Sequence, residues 1–562
     1  MKVGKSTFYY ISSLNTNFYL LRCLNEFRIF LKDQNFESLP NNQKYTYEYY
    51  NMTDNISRTL ERDRLIRRVA RGAGITILGM FVSRLFGYAI RMVMARSLTT
   101  QGFGQIGIVQ SLITIITVIG LLGLPTALTR QIAFYRARND NKNVIKTIHS
   151  GLWISLPAAI LLVLIIWSTK GWLSTNVFHD ITLVSVLALF ALVIPFLALE
   201  QLMGAILLGF QRVRTYTIIH DIFRFSVTLL LIVIFLKLYQ PIPTHAALAY
   251  LISYIIAGVI YLFSCRNHLN GVFRIPNLFN ATTKKLLTFS WPLVLSSLLW
   301  ILLPRTDIIM LGFFKNTLTV GLYNAAVPLG ELIPIFARAF IPIFIPLFTE
   351  LISQDRWVEI RDLYKIITRW TIAATMPLFF VVMLSPEHFL NMLFGSRYLE
   401  AAQPLQILTL GYFLPLLLGP TSSYLTTIGK TKTVMINTII IYILNVSLNL
   451  LLIPRFGLIG AAAATATSFV IYRFITLVEV YYYSRTHPFN LQYLRLLIAG
   501  SITGIIYYFL LNHYSPNPGQ AWTLLGILLI ICLVYSANLI VFRTLNKDDL
   551  MILKNIKKRL IG

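Results

Sequence analysis

Apolar runs of about twenty residues, bounded each time by short polar turns, recur along this chain and constrain its fold more than any other feature. A helix rises 1.5 Å per residue, so roughly twenty residues cross a hydrocarbon layer of about 30 Å. Fourteen segments reach that length, at 73–96, 104–124, 149–169, 181–208, 216–236, 244–264, 285–304, 320–348, 367–385, 401–427, 433–453, 458–482, 492–511 and 520–542. Lipid offers no partner for backbone N–H and C=O groups, so each segment must bond internally. The predicted fold is therefore all-α, a polytopic membrane protein of about 14 transmembrane helices. Composition agrees. Of 562 residues, 56% are hydrophobic and 13% charged, against roughly 25% charged in soluble domains.

The net charge of +27 invites a nucleic-acid reading, but its distribution points elsewhere. Counting alternate loops, the stretch 52–72 and the C-terminal tail as cytoplasmic puts 31 Lys and Arg residues inside and 6 outside. The six are Arg96, Lys170, Lys237, Lys315, Arg397 and Arg455. That alternation predicts a multi-pass protein of the cell (cytoplasmic or inner) membrane with both termini cytoplasmic. The charge then serves topology and anionic membrane lipids, and no nucleic-acid partner is expected. Outside loops reach only about fifteen residues, too short for a catalytic domain, so the chain is not expected to be an enzyme. Cys23, Cys265 and Cys532 lie far apart, and the eight histidines show no ligand spacing. No disulfide, metal or cofactor is expected.

Residues 1–51 are rich in Asn, Tyr and Phe and contain no spanning run or signal peptide. Two readings stand. Met52 is the native start and 1–51 an untranslated extension, or 1–51 form an ordinary interfacial tail. Residues 1–70 are in either case a basic cytoplasmic segment, mirrored by a basic tail at 544–562.

The spans repeat. GQIGIVQSL at 104–112 aligns with GLYNAAVPL at 321–329, an offset of 217, and Trp153 aligns with Trp370 at the same offset. At 220, Pro195 meets Pro415 and Gly209 meets Gly429; at 215, HAALAYLISY from 245 overlies GAAAATATSF from 460. Spans 1–6 (71–275) and 7–12 (276–485) thus read as two copies, with 486–543 holding two extra C-terminal helices. Six is even, so both copies cross the membrane in the same sense, related by a pseudo-two-fold axis along its normal. That arrangement belongs to transporters whose two halves rock about a central site.

The run SRLFGYAIRMVMARSLTTQGFGQIGIVQSL, from Ser83, resembles the opening signature of the polysaccharide biosynthesis (oligosaccharide) flippases of the Wzx type. PTALTRQIAFYRARNDNK (125–142) and LLGFQRVRTYT (207–217) fit the same pattern, and the resemblance covers about 70–542. These flippases share the multidrug/oligosaccharidyl-lipid/polysaccharide (MOP) superfamily with the MATE drug exporters and lipid II flippases. The resemblance implies a MATE-like fold and transfer of a polyprenyl-pyrophosphate-linked oligosaccharide between leaflets by alternating access, alongside polymerase or glycosyltransferase machinery. One departure stands out: Thr99-Thr100 occupies the first outside turn, where the family usually has Gly-Pro.

A diphosphate head crossing a bilayer needs a polar path with cations, and the planar arginine fork suits it. Arg84 and Arg91 lie seven residues apart, on one face of span 1 and about 10 Å apart in depth. With Arg305 and Arg338 they are the predicted substrate-binding residues. Asp307, Glu200 and Glu331 are the ion-coupling candidates, because intramembrane carboxylates are costly and face cavities or partners. Arg91 and Asp307 align in depth through the repeat and are expected to pair across the cavity in one state, with substrate phosphate or a coupling ion competing, unless a local pair forms near Pro304. Asp221 and Arg224, three apart, are expected to neutralise each other. Glu331 and Arg338, seven apart, are expected on one face of a continuous span 8, and Arg473 and Glu479 near an interface. The last two helices either wall a groove for the lipid tail or pack passively. A lipid II flippase and a MATE-type exporter are the alternatives, with a membrane-embedded sugar polymerase or ligase further off.

Overall fold

The computed structural model describes residues 76, 78–121, 123–269, 298–299, 301–514 and 521–542. The expectations for 1–70 and 544–562, and most of segment 285–304, lie outside these residues. The chain runs as α1 (Leu78–Ser97), α2 (Thr100–Gly120), α3 (Leu124–Ala137), α4 (Asn141–Trp172), α5 (Leu183–Ala191), α6 (Val193–Gly209), α7 (Val213–Leu238), α8 (Pro243–Cys265) and α9 (301–314). It continues as α10 (Thr317–Gly330), α11 (Ile335–Ser353), α12 (Trp357–Leu384), α13 (Pro386–Leu393), α14 (Ala402–Phe413), α15 (Thr421–Thr427), α16 (Thr431–Ser484), α17 (Leu491–Tyr514) and α18 (Ala521–Val541).

Among the described residues there is no strand. Ten helices among the described residues are long and apolar enough to cross a membrane, or eleven with the bent pair α10–α11. The 54 residues of α16 are two spans' worth, broken at Gly457 (φ 54°, ψ −122°) just after Pro454. The helices are apolar on both sides, as lipid requires. On α4, for example, Ile148, Leu152 and Ala159 are buried, while Leu161, Leu164 and Trp167 face outward.

Local chemistry fixes the helix starts. Thr99 is extended (φ −67°, ψ 156°) and its Oγ1 accepts from Gly102 N at 3.0 Å, capping α2. The Thr-Thr pair thus begins the helix where the flippases usually carry Gly-Pro. Asn316 caps α10 by accepting from Thr319 N at 2.8 Å.

The pairing of α2 with α10 is the most extensive contact between described helices, and it is reciprocal. A Cβ on Gly104 would stand 1.8 Å from Thr317 O, and one on Gly321 would stand 2.0 Å from Thr100 O. Gly104 and Gly321 are partners in the 217-residue repeat, and so are Thr100 and Thr317. Each helix therefore presents to the other the patch it receives, as a two-fold axis demands. Small residues let the two backbones touch, the usual device where apolar burial cannot drive association.

At the end of the bundle beside this crossing, the chain is latched through backbone carbonyls. Arg96 Nε donates to Leu393 O at 3.1 Å, and its Nη2 donates to Met392 O. In return, Arg397 Nη2 donates to Arg96 O at 3.0 Å and Tyr398 Oη to Ala95 O at 3.0 Å. Asp180, between α4 and α5, accepts from Gln105 Nε2 (2.8 Å), Gln101 Nε2 (3.2 Å) and Thr317 Oγ1 (2.9 Å).

Span 8 is not continuous. Residues 331–334 turn, and α10 and α11 meet at 47° across them. Pro334 has no N–H to donate and stands at the N-cap of α11, which marks the restart.

Candidate functional site

Four arginines meet where α1, α9, α10 and α11 converge. Arg84 Nη1 lies 3.8 Å from Glu331 Oε2, and their side chains are 56% and 23% exposed. Tyr88, one turn along α1 from Arg84, donates its hydroxyl to Pro328 O at 2.9 Å, joining α1 to the end of α10. Arg84, Arg91, Arg338 and Glu331 all stand within electrostatic reach of that hydroxyl. Arg91 and Glu331 are within reach of Arg305, with Tyr254 beside it. Arg84 and Arg338 are exposed; Arg91 and Arg305 are half-buried. Among the described residues Glu331 is the one carboxylate paired with any of the four. Four cations against one paired anion favour an anion in this region. All four predicted substrate residues are thus brought together, with Glu331 among them.

One predicted pairing is not made in this conformation, and another is corrected. Asp307 is 2% exposed, and in this conformation its bonds go to neutral donors rather than to Arg91. Asn449 Nδ2 donates to Oδ1 at 2.8 Å, Tyr323 Oη donates to Oδ2 at 3.0 Å, and Thr465 Oγ1 also donates to Oδ2. Asn449 Nδ2 also reaches Asn445 Oδ1 at 3.1 Å. Arg224, for its part, passes over Asp221 for Glu200. Its Nε stands 3.1 Å from Glu200 Oε1, and His220 Nδ1 shares that oxygen at 2.8 Å. Arg224 Nη1 donates to Tyr254 Oη at 3.0 Å. The cause is local. Residues Ile218–Phe223 form a π-helical turn, whose wider i→i+5 spacing takes residues three apart off a common face. Asp221 instead lies against α1, where a Cβ on Gly79 would come within 3.2 Å of its Oδ2.

Two placements also differ. The break at 331–334 removes the shared face expected of Glu331 and Arg338; they meet the same cluster from two helices. Arg473 is set eleven residues before Ser484, the end of its helix, well inside the span. Glu479 does lie near that end and accepts from Asn437 Nδ2 at 2.6 Å. The sequence reading missed Tyr88, His220 and the neutral partners of Asp307. Asn445 and Asn449, four apart in an apolar span, carried a signal: unneeded amides in lipid mark an interior polar site.

These features define a class: a multi-pass membrane protein with a charged interior and the fold of the MOP-superfamily transporters. The chain covers 98% of the lipid II flippase MurJ in its inward closed conformation (83% of this chain, TM-score 0.66, 16% identity). It covers 93% of an inward-facing MATE transporter of the MOP superfamily (71% of this chain, TM-score 0.60, 12% identity). Within that class, the chain belongs to the polysaccharide biosynthesis protein family, which it matches over residues 69–352. It is 25% identical to the probable low-salt glycan biosynthesis flippase Agl15 of Haloferax volcanii, over 33% of this chain and 39% of that protein.

Proposed function

We propose that the protein is a flippase that carries a polyprenyl-(pyro)phosphate-linked oligosaccharide from the cytoplasmic to the outer leaflet of the cell membrane. The observation that carries this reading is the cluster of Arg84, Arg91, Arg305 and Arg338 facing the single carboxylate Glu331. A diphosphate supplies the missing negative charge, and each guanidinium fork can hold two of its oxygens. The lobes 71–275 and 276–485 alternate access to the cluster, and the termini lie in the cytoplasm. The extra helices at 486–543 border the path of the lipid tail.

Ion coupling falls to the buried carboxylates. Asp307 is bonded only by neutral donors, so its charge remains available, and Asn449 Oδ1 beside it has no partner. That oxygen set suits a small monovalent cation. Glu200, whose Oε1 is shared by His220 and Arg224, is the candidate for a proton in a state that releases Arg224. Arginines fit a drug cation poorly, so the anionic substrate is preferred over the MATE-type alternative; a lipid II flippase shares the same chemistry.

The test is transport of a labelled pyrophosphate-linked glycan in vesicles, with complementation of flippase-null strains. Arg84→Ala and Arg91→Ala should each lower transport by about tenfold or more, the loss expected when a charge-assisted phosphate contact is removed. Wild-type rates in both variants, or conversion of the glycan to polymer, would overturn the proposal.

A further inference from the structure

We propose that Arg473 is a second anion site, in the cytoplasmic half of the C-terminal repeat, that takes a phosphate of the same lipid-linked substrate. The proposal rests on the anionic-substrate reading above and adds a station to it.

Arg473 is a buried-side cation without a counter-ion. Its Nη1 donates to Thr421 Oγ1 at 3.2 Å, and its Nε is buried with no partner. No carboxylate among the described residues pairs with it; the ionisable groups in its electrostatic reach are Tyr472 and Tyr364. Arg224 has Glu200, Arg84 has Glu331, and Arg369 donates to Gln492; Arg91, Arg305 and Arg338 have no paired carboxylate among the described residues either, but they stand in the cluster around Glu331. Arg473 is half-buried, and of its five N–H donors the buried Nε is left unused, which is costly unless an anion completes the set.

The surroundings suit an oxyanion. Thr421 Oγ1 and Thr476 Oγ1 stand 2.6 Å apart beside the guanidinium. Thr421 starts α15, immediately after an interruption in which Leu414–Leu418 tighten into a 3-10 turn and Gly419 takes φ 82°. Non-helical backbone at membrane depth is tolerated where it is buried in protein or lines a polar cavity.

The site also connects to the central cluster. Phe469 lies one turn from Arg473 on the same helix face. Its ring is 5.3 Å from that of Tyr412, and Tyr412 is within electrostatic reach of Glu331, Arg338 and Tyr88. The ring contact thus links the face that bears Arg473 to Tyr412, which stands within electrostatic reach of Arg338 and Glu331. The repeat supplies a control: at its local offset of 215, Arg473 corresponds to Gly258, so the fold itself does not require a cation here. The ligand class is an anionic phosphate or diphosphate ester. A carrier lipid and an ordinary anionic phospholipid both offer that chemistry.

The experiment uses the full chain in neutral detergent, with farnesyl diphosphate, inorganic pyrophosphate, farnesol and a short-chain phosphatidylglycerol as probes. Calorimetric affinity and ligand-induced thermal shift are read for wild type, Arg473→Gln, Arg473→Lys and Arg84→Ala. Arg473→Gln should bind farnesyl diphosphate about tenfold more weakly, the scale of one charge-assisted contact. Its melting temperature without ligand should be unchanged or higher; a purely structural role would lower it. Should Arg473→Gln fail to fold, Arg473→Lys keeps the charge, loses the fork and should still weaken binding. Unchanged affinity in the Arg473 variants with loss in Arg84→Ala overturns this site and leaves the flippase reading standing. Absence of diphosphate binding in wild type overturns that reading and this one together. Phosphatidylglycerol competing on equal terms overturns the assignment to the carrier.

Discussion

Arg224 had a carboxylate three residues away and paired with one twenty-four residues away, on another helix. Spacing rules assume a regular α-helix, and the π turn at Ile218–Phe223 breaks that assumption. The Glu200 side chain is 1% exposed, so removing its charge strands Arg224 in the interior. Glu200→Gln should therefore cost about 3–5 kcal/mol, the range for breaking a buried pair from one side. The double variant with Arg224→Met should recover much of that loss in a detergent melt. A single variant as stable as wild type would show that the pair contributes nothing. Which residues are charged and buried was legible, because charge inside an apolar run is visible in the sequence. Which partner each takes was not, because Glu200 with Arg224, and Asp307 with Asn449, are matched by packing between helices.

The repeat, by contrast, was written plainly in the order of helices. Its 217-residue offset aligned Gly104 with Gly321 before any contact between them was known. What the offset does not carry is that these copies touch, each glycine against a carbonyl of the other helix. Gly104→Ala would force a methyl to within 1.8 Å of Thr317 O, and a backbone carbonyl cannot step aside. The loss should be at least the roughly 1–3 kcal/mol of ordinary overpacking, read as a lower melting temperature. Gly171→Ala, whose Cβ would meet nothing within 4 Å, is the control and should melt like wild type. The break at 331–334 was less legible. Its apolar residues suit a continuous span, and Pro334 alone hinted at a restart.

On the scale of the whole molecule, the Lys/Arg alternation assigned Arg96 and Arg397 to outside loops but gave them no role beyond topology. In the fold they close that end of the bundle, together with Asp180, which the sequence reading did not single out. Asp180 joins α2, the α4–α5 loop and the start of α10. Burial pushes its carboxyl upward, but hydrogen bonds from Thr182, Gln105, Gln101 and Thr317 outweigh it and hold the group below the usual aspartate range. A depressed value in the closed fold means that its contribution is present above the ordinary value of about 3.9 and is lost as pH falls through the lowered one. Loosening of this end should therefore appear only in strong acid, and Asp180→Asn should abolish that pH dependence. The other closure at this end is the arginine latch. Leu98, fully buried behind it, reports its state. In a cysteine-free background, Leu98→Cys should resist a membrane-impermeant maleimide applied from outside. Adding Arg96→Ala and Arg397→Ala should raise the labelling rate severalfold, because Arg96 and Arg397 are what tie the end of α1 to the turn after α13. If labelling stays equally slow in the triple variant, the glycine seam and Asp180 keep this end shut without the arginines.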